Sequence, residues 1–133
     1  MNQNMQSQSG KKLTSSKEEY LKAIYKLSKK TQVVRSIDLA VYLGVSKPSV
    51  NRAVNTLQKE GFVIKPLRGE IRLTDKGLEQ GQILSVRFKL IKHLLITCCN
   101  INEQTASADA CKMEHLISDE TTFALLKYLE IDP

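Results

Sequence analysis

Gly44 and Ser46-Lys47-Pro48 stand two residues apart, and together they end one helix and begin the next. Glycine takes the left-handed conformation that closes a helix. A serine oxygen can accept the unpaired N–H groups at a helix start, where a proline in the first turn loses no hydrogen bond. The helix before this break is short, Ile37 to Leu43, with Ser36 as its expected cap. The helix after it keeps Val50, Val54 and Leu57 on one face and stops at Gly61. Helix, tight glycine turn, helix is a helix-turn-helix.

The flanks extend this unit. Ser15 or Ser16 with a glutamate three residues on predicts a capping box, and Tyr20, Leu21, Ile24, Tyr25 and Leu27 give the helical stripe of a first helix to about Lys29. Residues 1–14 are Asn-, Gln-, Ser- and Lys-rich and are expected to be a disordered tail. After the third helix, Phe62-Val63-Ile64 and Glu70-Ile71-Arg72-Leu73 flank a turn at Lys65-Pro66-Leu67-Arg68-Gly69, which adds a β-hairpin wing. Residues 15–73 therefore predict a winged helix-turn-helix that binds double-stranded DNA. Arg35, Ser46, Lys47, Pro48, Ser49, Asn51, Arg52, Asn55 and the wing-tip Arg68 are its candidate contacts, with Asn51 and Arg52 suited to base edges and Lys47 and Arg68 to phosphate.

Charge divides along the same boundary. Residues 1–73 hold 14 Lys+Arg against 5 Asp+Glu (14 − 5 = +9), whereas residues 74–133 hold 6 against 9 (6 − 9 = −3). A basic module for a polyanion followed by a mildly acidic regulatory module is the organisation this implies. Aromatic residues make up 5% with no Trp, and six Gly and three Pro favour helices over a sandwich or barrel. The start of the chain is polar, no apolar run approaches the ~20 residues of a membrane span, and three cysteines make no disulfide framework. A cytoplasmic protein without a membrane segment is expected.

Residues 74–133 predict a helical domain: a long helix from Thr74-Asp75 to about Thr97 with Leu84, Phe88, Ile91 and Leu95 buried, a helix capped by Asn102, and a last one capped by Ser118 with Phe123, Leu126 and Leu129 apolar. Gly77 and Gly81, one turn apart, allow close helix packing. Three such helices are expected to bury their stripes against a second copy, giving a homodimer and a palindromic operator. Cys98 and Cys99 are expected as packing residues near that seam, and His93 as a surface histidine. Within the domain, Cys111, Glu114 and His115 recur at i, i+3 and i+4, so a thiol, a carboxylate and an imidazole share one helical face. Sulfur with imidazole suits divalent iron, cobalt, nickel or zinc, and carboxylate oxygen extends the choice toward manganese. Neither a His-Glu-x-x-His run nor a second base is present, so an enzyme is not expected.

The runs Glu18-Glu19-Tyr20-Leu21-Lys22-Ala23-Ile24-Tyr25, Leu43-Gly44-Val45-Ser46-Lys47-Pro48-Ser49-Val50, Arg68-Gly69-Glu70-Ile71-Arg72-Leu73-Thr74 and Cys111-Lys112-Met113-Glu114-His115-Leu116-Ile117-Ser118-Asp119-Glu120 resemble the diphtheria toxin repressor family, in order and at its spacing. The resemblance covers roughly residues 15–130 and is with the short, two-domain kind. It implies a mainly α, homodimeric, metal-activated transcriptional repressor of metal-homeostasis genes, with a metal held by Glu19, Cys111, Glu114 and His115, one site per subunit. The Glu19 position holds methionine in iron-type relatives and aspartate in manganese-type ones; the alternative role for Glu19 is the capping-box carboxylate.

Iron(II) is the first choice because Cys111 replaces an oxygen ligand, with manganese(II) and zinc(II) open. The positions of a second, ancillary metal correspond to Phe88, Lys92 and Ser107, which leaves that site absent, and Lys22 stands where manganese-type members carry a carboxylate. Lys92 either supplies a fixed positive charge in place of the second cation or reaches solvent. The competing reading is a metal-independent winged-helix regulator that senses thiol oxidation through Cys98 or Cys111.

Overall fold

Thr14, not Ser15 or Ser16, begins the first helix in the computed structural model, which describes residues 13–129. Its hydroxyl accepts from the Lys17 N–H at 3.3 Å, and helix α1 runs Ser15–Lys30. Leu13 already packs on the core. The rest of the expected tail, residues 1–12, lies outside the described residues. With Thr14 as the cap, Glu19 is not held in a capping box and its carboxylate is available elsewhere.

Strand β1 (Val34–Arg35) follows and was not expected from sequence, because two residues carry no alternation to read. Helix α2 (Ser36–Leu43) starts one residue earlier than expected: Ser36 is inside it, Arg35 is the cap residue, and the Asp38 carboxylate accepts the Arg35 N–H at 3.0 Å. Gly44 closes it at φ 67°, as its freedom from a Cβ allows. Helix α3 (Lys47–Lys59) is capped by Ser46, whose hydroxyl accepts from the Ser49 N–H, and carries Pro48 in its first turn. Strands β2 (Val63–Ile64) and β3 (Glu70–Leu73) form the wing. β3 is central and antiparallel to both neighbours, with Val34 opposite Ile71 and Val63 opposite Leu73.

Helix α4 (Asp75–His93), capped by Thr74, continues into a π-helical turn, Leu94–Cys98. Helices α5 (Glu103–Met113, capped by Asn102) and α6 (Asp119–Leu129) complete the described chain, and the Ser118 hydroxyl accepts the Thr121 N–H at the start of α6. Leu21, Ile24, Leu39, Val50, Val54, Leu57, Val63 and Ile71 make one core, which also takes in Leu84 of α4. The long helix is thus rooted in the DNA-binding half. It can lie against α1 because Gly81 has no side chain: a Cβ there would meet the Tyr25 Cβ at 2.7 Å.

The buried face of α4 differs from expectation. Leu84, Arg87, Leu90 and Ile91 are buried, whereas Phe88 and Leu95 are only partly covered. In α6 Thr122 is the buried residue, while Phe123 and Tyr128 are exposed on the single chain, as are Cys98 and Cys99. His93 is at the surface. Among the described residues no helix is long and apolar enough to cross a membrane.

Candidate metal centre and nucleic-acid interface

Three donor atoms from Glu19, Cys111 and Glu114 lie within 4.8 Å of one another. They come from two places. Glu19 is on the second turn of α1, Cys111 on the last turn of α5, and Glu114 is the residue that ends α5, so the expected single helical face is in fact a helix end. Glu114 keeps near-helical torsions (φ −60°, ψ −24°), which preserves its i, i+3 relation to Cys111. Its side chain is wholly buried, and one of its oxygens, Oε1, has no hydrogen-bond partner. Cys111 is exposed and Glu19 partly so, which opens the cluster on that side.

His115 flanks the three donors. Its Nε2 is 2.7 Å from Glu19 Oε2 and 3.6 Å from Glu114 Oε2, while its Nδ1 is 2.7 Å from Glu18 Oε1. Glu18 and Glu19 thus grip the two ring nitrogens from adjacent positions of α1. With Nδ1–H donating to Glu18, the neutral ring presents the Nε2 lone pair toward Glu19 Oε2, and a cation between them would bind both. Glu18 is buried and is itself faced by Arg87, whose guanidinium lies 3.8 Å away. Arg87 also donates to Thr122 Oγ1 at 3.1 Å and to the Glu114 carbonyl at 3.4 Å, and pairs with Asp119. One buried arginine therefore ties α4 to α1, to the end of α5 and to α6.

Lys22 completes the cluster. Its ammonium pairs with Glu114 Oε2 and lies 3.7 Å from Glu19 Oε2. Burial raises the Glu114 pKa above its ordinary value; the Lys22 hydrogen bond and charge pull it down, Glu19 pushes it up, and His115 lowers it. Lys26 is lowered by its own burial and by Lys22, against the opposing pull of Glu114 and Glu19. Lys92 does not enter. It reaches outward to the exposed Glu103 carboxylate at 3.3 Å, so the buried fixed positive charge considered for it belongs to Lys22.

The residues fit a divalent ion. An unpartnered buried carboxylate oxygen beside a second carboxylate, a thiol and an oriented imidazole is a donor set in want of a cation. Sequence reading missed Glu18 and Arg87. Arg87 stands at i+3 from Leu84 and i−4 from Ile91, so it shared the register of the apolar stripe all along. Glu18 gave no such sign, because adjacent helical residues diverge by ~100° and only the tertiary position of His115 lets both reach it.

At the other end of the molecule, a concave groove lies between α3 and the wing. Lys47, Asn51, Asn55 and Arg68 line it, together with Ser36, Lys65, Pro66, Leu67 and Gly69. Lys65, missed from sequence, donates to Asn55 Oδ1 at 3.0 Å and bridges helix and wing. Of the remaining candidates, Arg35, Ser46, Pro48 and Arg52 are exposed outside the groove and Ser49 is half-buried. The Ser46 and Ser49 hydroxyls are 2.9 Å apart in the cap, and Arg52 lies 3.4 Å from Ser49 Oγ.

A winged helix with a basic groove, joined through α4 to a helical domain, with a Glu/Cys/Glu cluster drawn from both halves, defines a metal-dependent DNA-binding transcriptional regulator rather than an enzyme. The chain belongs to the iron dependent repressor family: residues 12–69 match its N-terminal DNA binding domain and residues 74–131 its metal binding and dimerisation domain. It is 33% identical over 120 residues to an HTH-type transcriptional regulator of Methanocaldococcus jannaschii, covering 89% of this chain and 95% of that one. It is 26% identical over 120 residues to the diphtheria toxin repressor of Corynebacterium diphtheriae, covering 90% of this chain and 53% of the repressor. The fold is similar to the structure of the manganese regulator SloR, with a TM-score of 0.74 at 31% identity over 87% of this chain and 54% of that one. The chain therefore spans nearly all of the archaeal relative and about half of the other two.

Proposed function

We propose that this chain is a homodimeric repressor of metal-homeostasis genes that binds a palindromic operator, in the cytoplasm, when each subunit takes up one divalent transition metal ion. Glu19, Cys111, Glu114 and His115 are the ligands, and iron(II) is favoured over manganese(II) and zinc(II). The observation that carries this reading is the buried, unpartnered Glu114 Oε1 among the Glu19 and Cys111 donors. Thiolate sulfur in the set turns the preference from manganese toward iron, and zinc shares that taste. Glu19 belongs to the helix that packs on α3, and the other three ligands belong to α5 and its end, so an ion held by all four joins the DNA-binding half to the helical half. It shifts the population toward whichever placement of the winged helices holds it more tightly.

On DNA, Lys47, Lys65 and Arg68 hold phosphate while Asn51 and Arg52 read base edges, with Arg35, Ser46, Pro48, Ser49 and Asn55 around them. The test is operator affinity measured with Fe2+, Mn2+, Zn2+ and with chelator. Affinity at least tenfold higher with Fe2+ than with chelator is expected; affinity indifferent to every metal removes the reading. The exposure of Cys98, Cys99 and Cys111 favours one second reading, thiol-oxidation sensing, in which chelator changes nothing and oxidant releases the DNA.

A further inference from the structure

We propose that Lys22 is a built-in second cation of this centre: its ammonium neutralises Glu114 and Glu19 from inside the fold, keeps the metal-free site intact and limits it to a single divalent ion. The inference rests on the metal reading above and deepens it. Lys22 is buried along its length, with its ammonium on Glu114 Oε2 and 3.7 Å from Glu19 Oε2. Glu114 uses only that oxygen for Lys22. The other, Oε1, is the unpartnered one, so ammonium and metal ion address different oxygens of one carboxylate and do not exclude each other.

Charge counting points the same way. Glu19, Glu114 and a Cys111 thiolate bring three negative charges, Lys22 returns one, and one divalent ion cancels the remaining two. Glu18 faces away from this set, toward His115 Nδ1 and Arg87. A second divalent ion would leave the cluster positive, which is costly on its buried side, at Glu114 and Lys22, where water screens least. The flank beyond Lys22 is closed to cations in any case. The Phe88 ring lies 5.3 Å from the Lys22 ammonium, and those of Lys26 and Lys92 are 5.7 and 5.9 Å from the same ring. The Lys22 and Lys26 ammonium groups beside this ring repel a further positive charge, while that of Lys92 is turned outward to Glu103.

The experiment compares the wild-type chain with Lys22→Met and with Lys22→Met/Glu114→Gln, using thermal unfolding in chelator and Mn2+ binding by calorimetry. In chelator, Lys22→Met should unfold about 10 °C or more below wild type, because it strands a buried carboxylate, and the double variant should recover most of that loss. Mn2+ should bind wild type at one ion per chain. It should bind Lys22→Met at least about tenfold more tightly, since a nearby positive charge has been removed; a merely structural lysine would give weaker binding on its loss. Two ions on wild type, an unfolding temperature of Lys22→Met within about 2 °C of wild type, or weaker Mn2+ binding overturns the proposal. If Lys22→Met does not fold in chelator, folding of the double variant supports the counter-ion role and its failure overturns it. A wild-type chain that takes up neither Mn2+ nor Zn2+ removes the metal reading and the one-ion limit with it, while the chelator arm still decides whether Lys22 is the counter-ion.

Discussion

At the scale of single residues, Glu114 shows how burial makes a ligand. Removed from water and given one partner for two oxygens, its carboxyl holds its proton more tightly than usual. The sign of the effect on stability follows from linkage. A carboxyl whose folded pKa is raised binds more protons folded than unfolded, so its contribution is present below the ordinary value of 4.5 and is lost as pH rises through the raised one. Metal-free wild type should therefore lose stability relative to Glu114→Gln as pH climbs above 4.5; denaturant unfolding of both proteins across pH measures it, and parallel curves would contradict it. Arg87→Met is the second residue-scale test. It leaves the buried Glu18 with His115 as its one partner and frees Asp119, and removing one partner of a buried pair typically costs about 3–5 kcal/mol. The variant should be strongly destabilised in denaturant melts, with Glu18→Gln/Arg87→Met less so.

At the scale of elements, the contact of α1 with α4 is where backbone shape decides. A Cβ on Gly81 would fall 2.7 Å from the Tyr25 Cβ, which side-chain rotation does not move, so Gly81→Ala forces α1 and α4 apart and should cost on the order of 1–3 kcal/mol as overpacking. At Gly77 the Cβ would fall 2.0 Å from the Phe62 carbonyl oxygen, and backbone cannot give way. Gly77→Ala should therefore be the more damaging change by equilibrium unfolding, despite the better helix propensity of alanine. On α3 and the wing, the division between phosphate-holding and base-reading side chains makes a different prediction. Lys65→Ala or Arg68→Ala should weaken cognate and random duplexes alike and reduce the salt slope of binding by about one unit, whereas Asn51→Ala should cost about 1–3 kcal/mol on the cognate site alone. Filter binding or anisotropy over a salt series distinguishes the two patterns.

For the whole molecule, coupling between metal and DNA must be reciprocal. Operator DNA should tighten metal binding by the same factor by which metal tightens operator binding, and titrations run in both orders check this. The sequence alone determined the helix-turn-helix, the wing and the thiol, carboxylate and imidazole of the Cys111 segment, because Gly44, Ser46 and Pro48 act through local torsions and caps, and ligand spacing near a helix end is still helical. Its resemblance to the diphtheria toxin repressor family likewise rested on short runs of residues. Caps at Thr14 and Arg35 were decided by competition among neighbouring polar side chains, which spacing does not resolve. Lys22, Glu18 and Arg87 were decided only by tertiary structure. Each is a charged residue that owes its burial to a partner 27 to 97 positions away, at Glu114 or His115. Electrostatic pairing in a low-dielectric interior depends on distance through space, and although periodicity puts Arg87 on the buried stripe of α4, it does not encode the partners of any of the three.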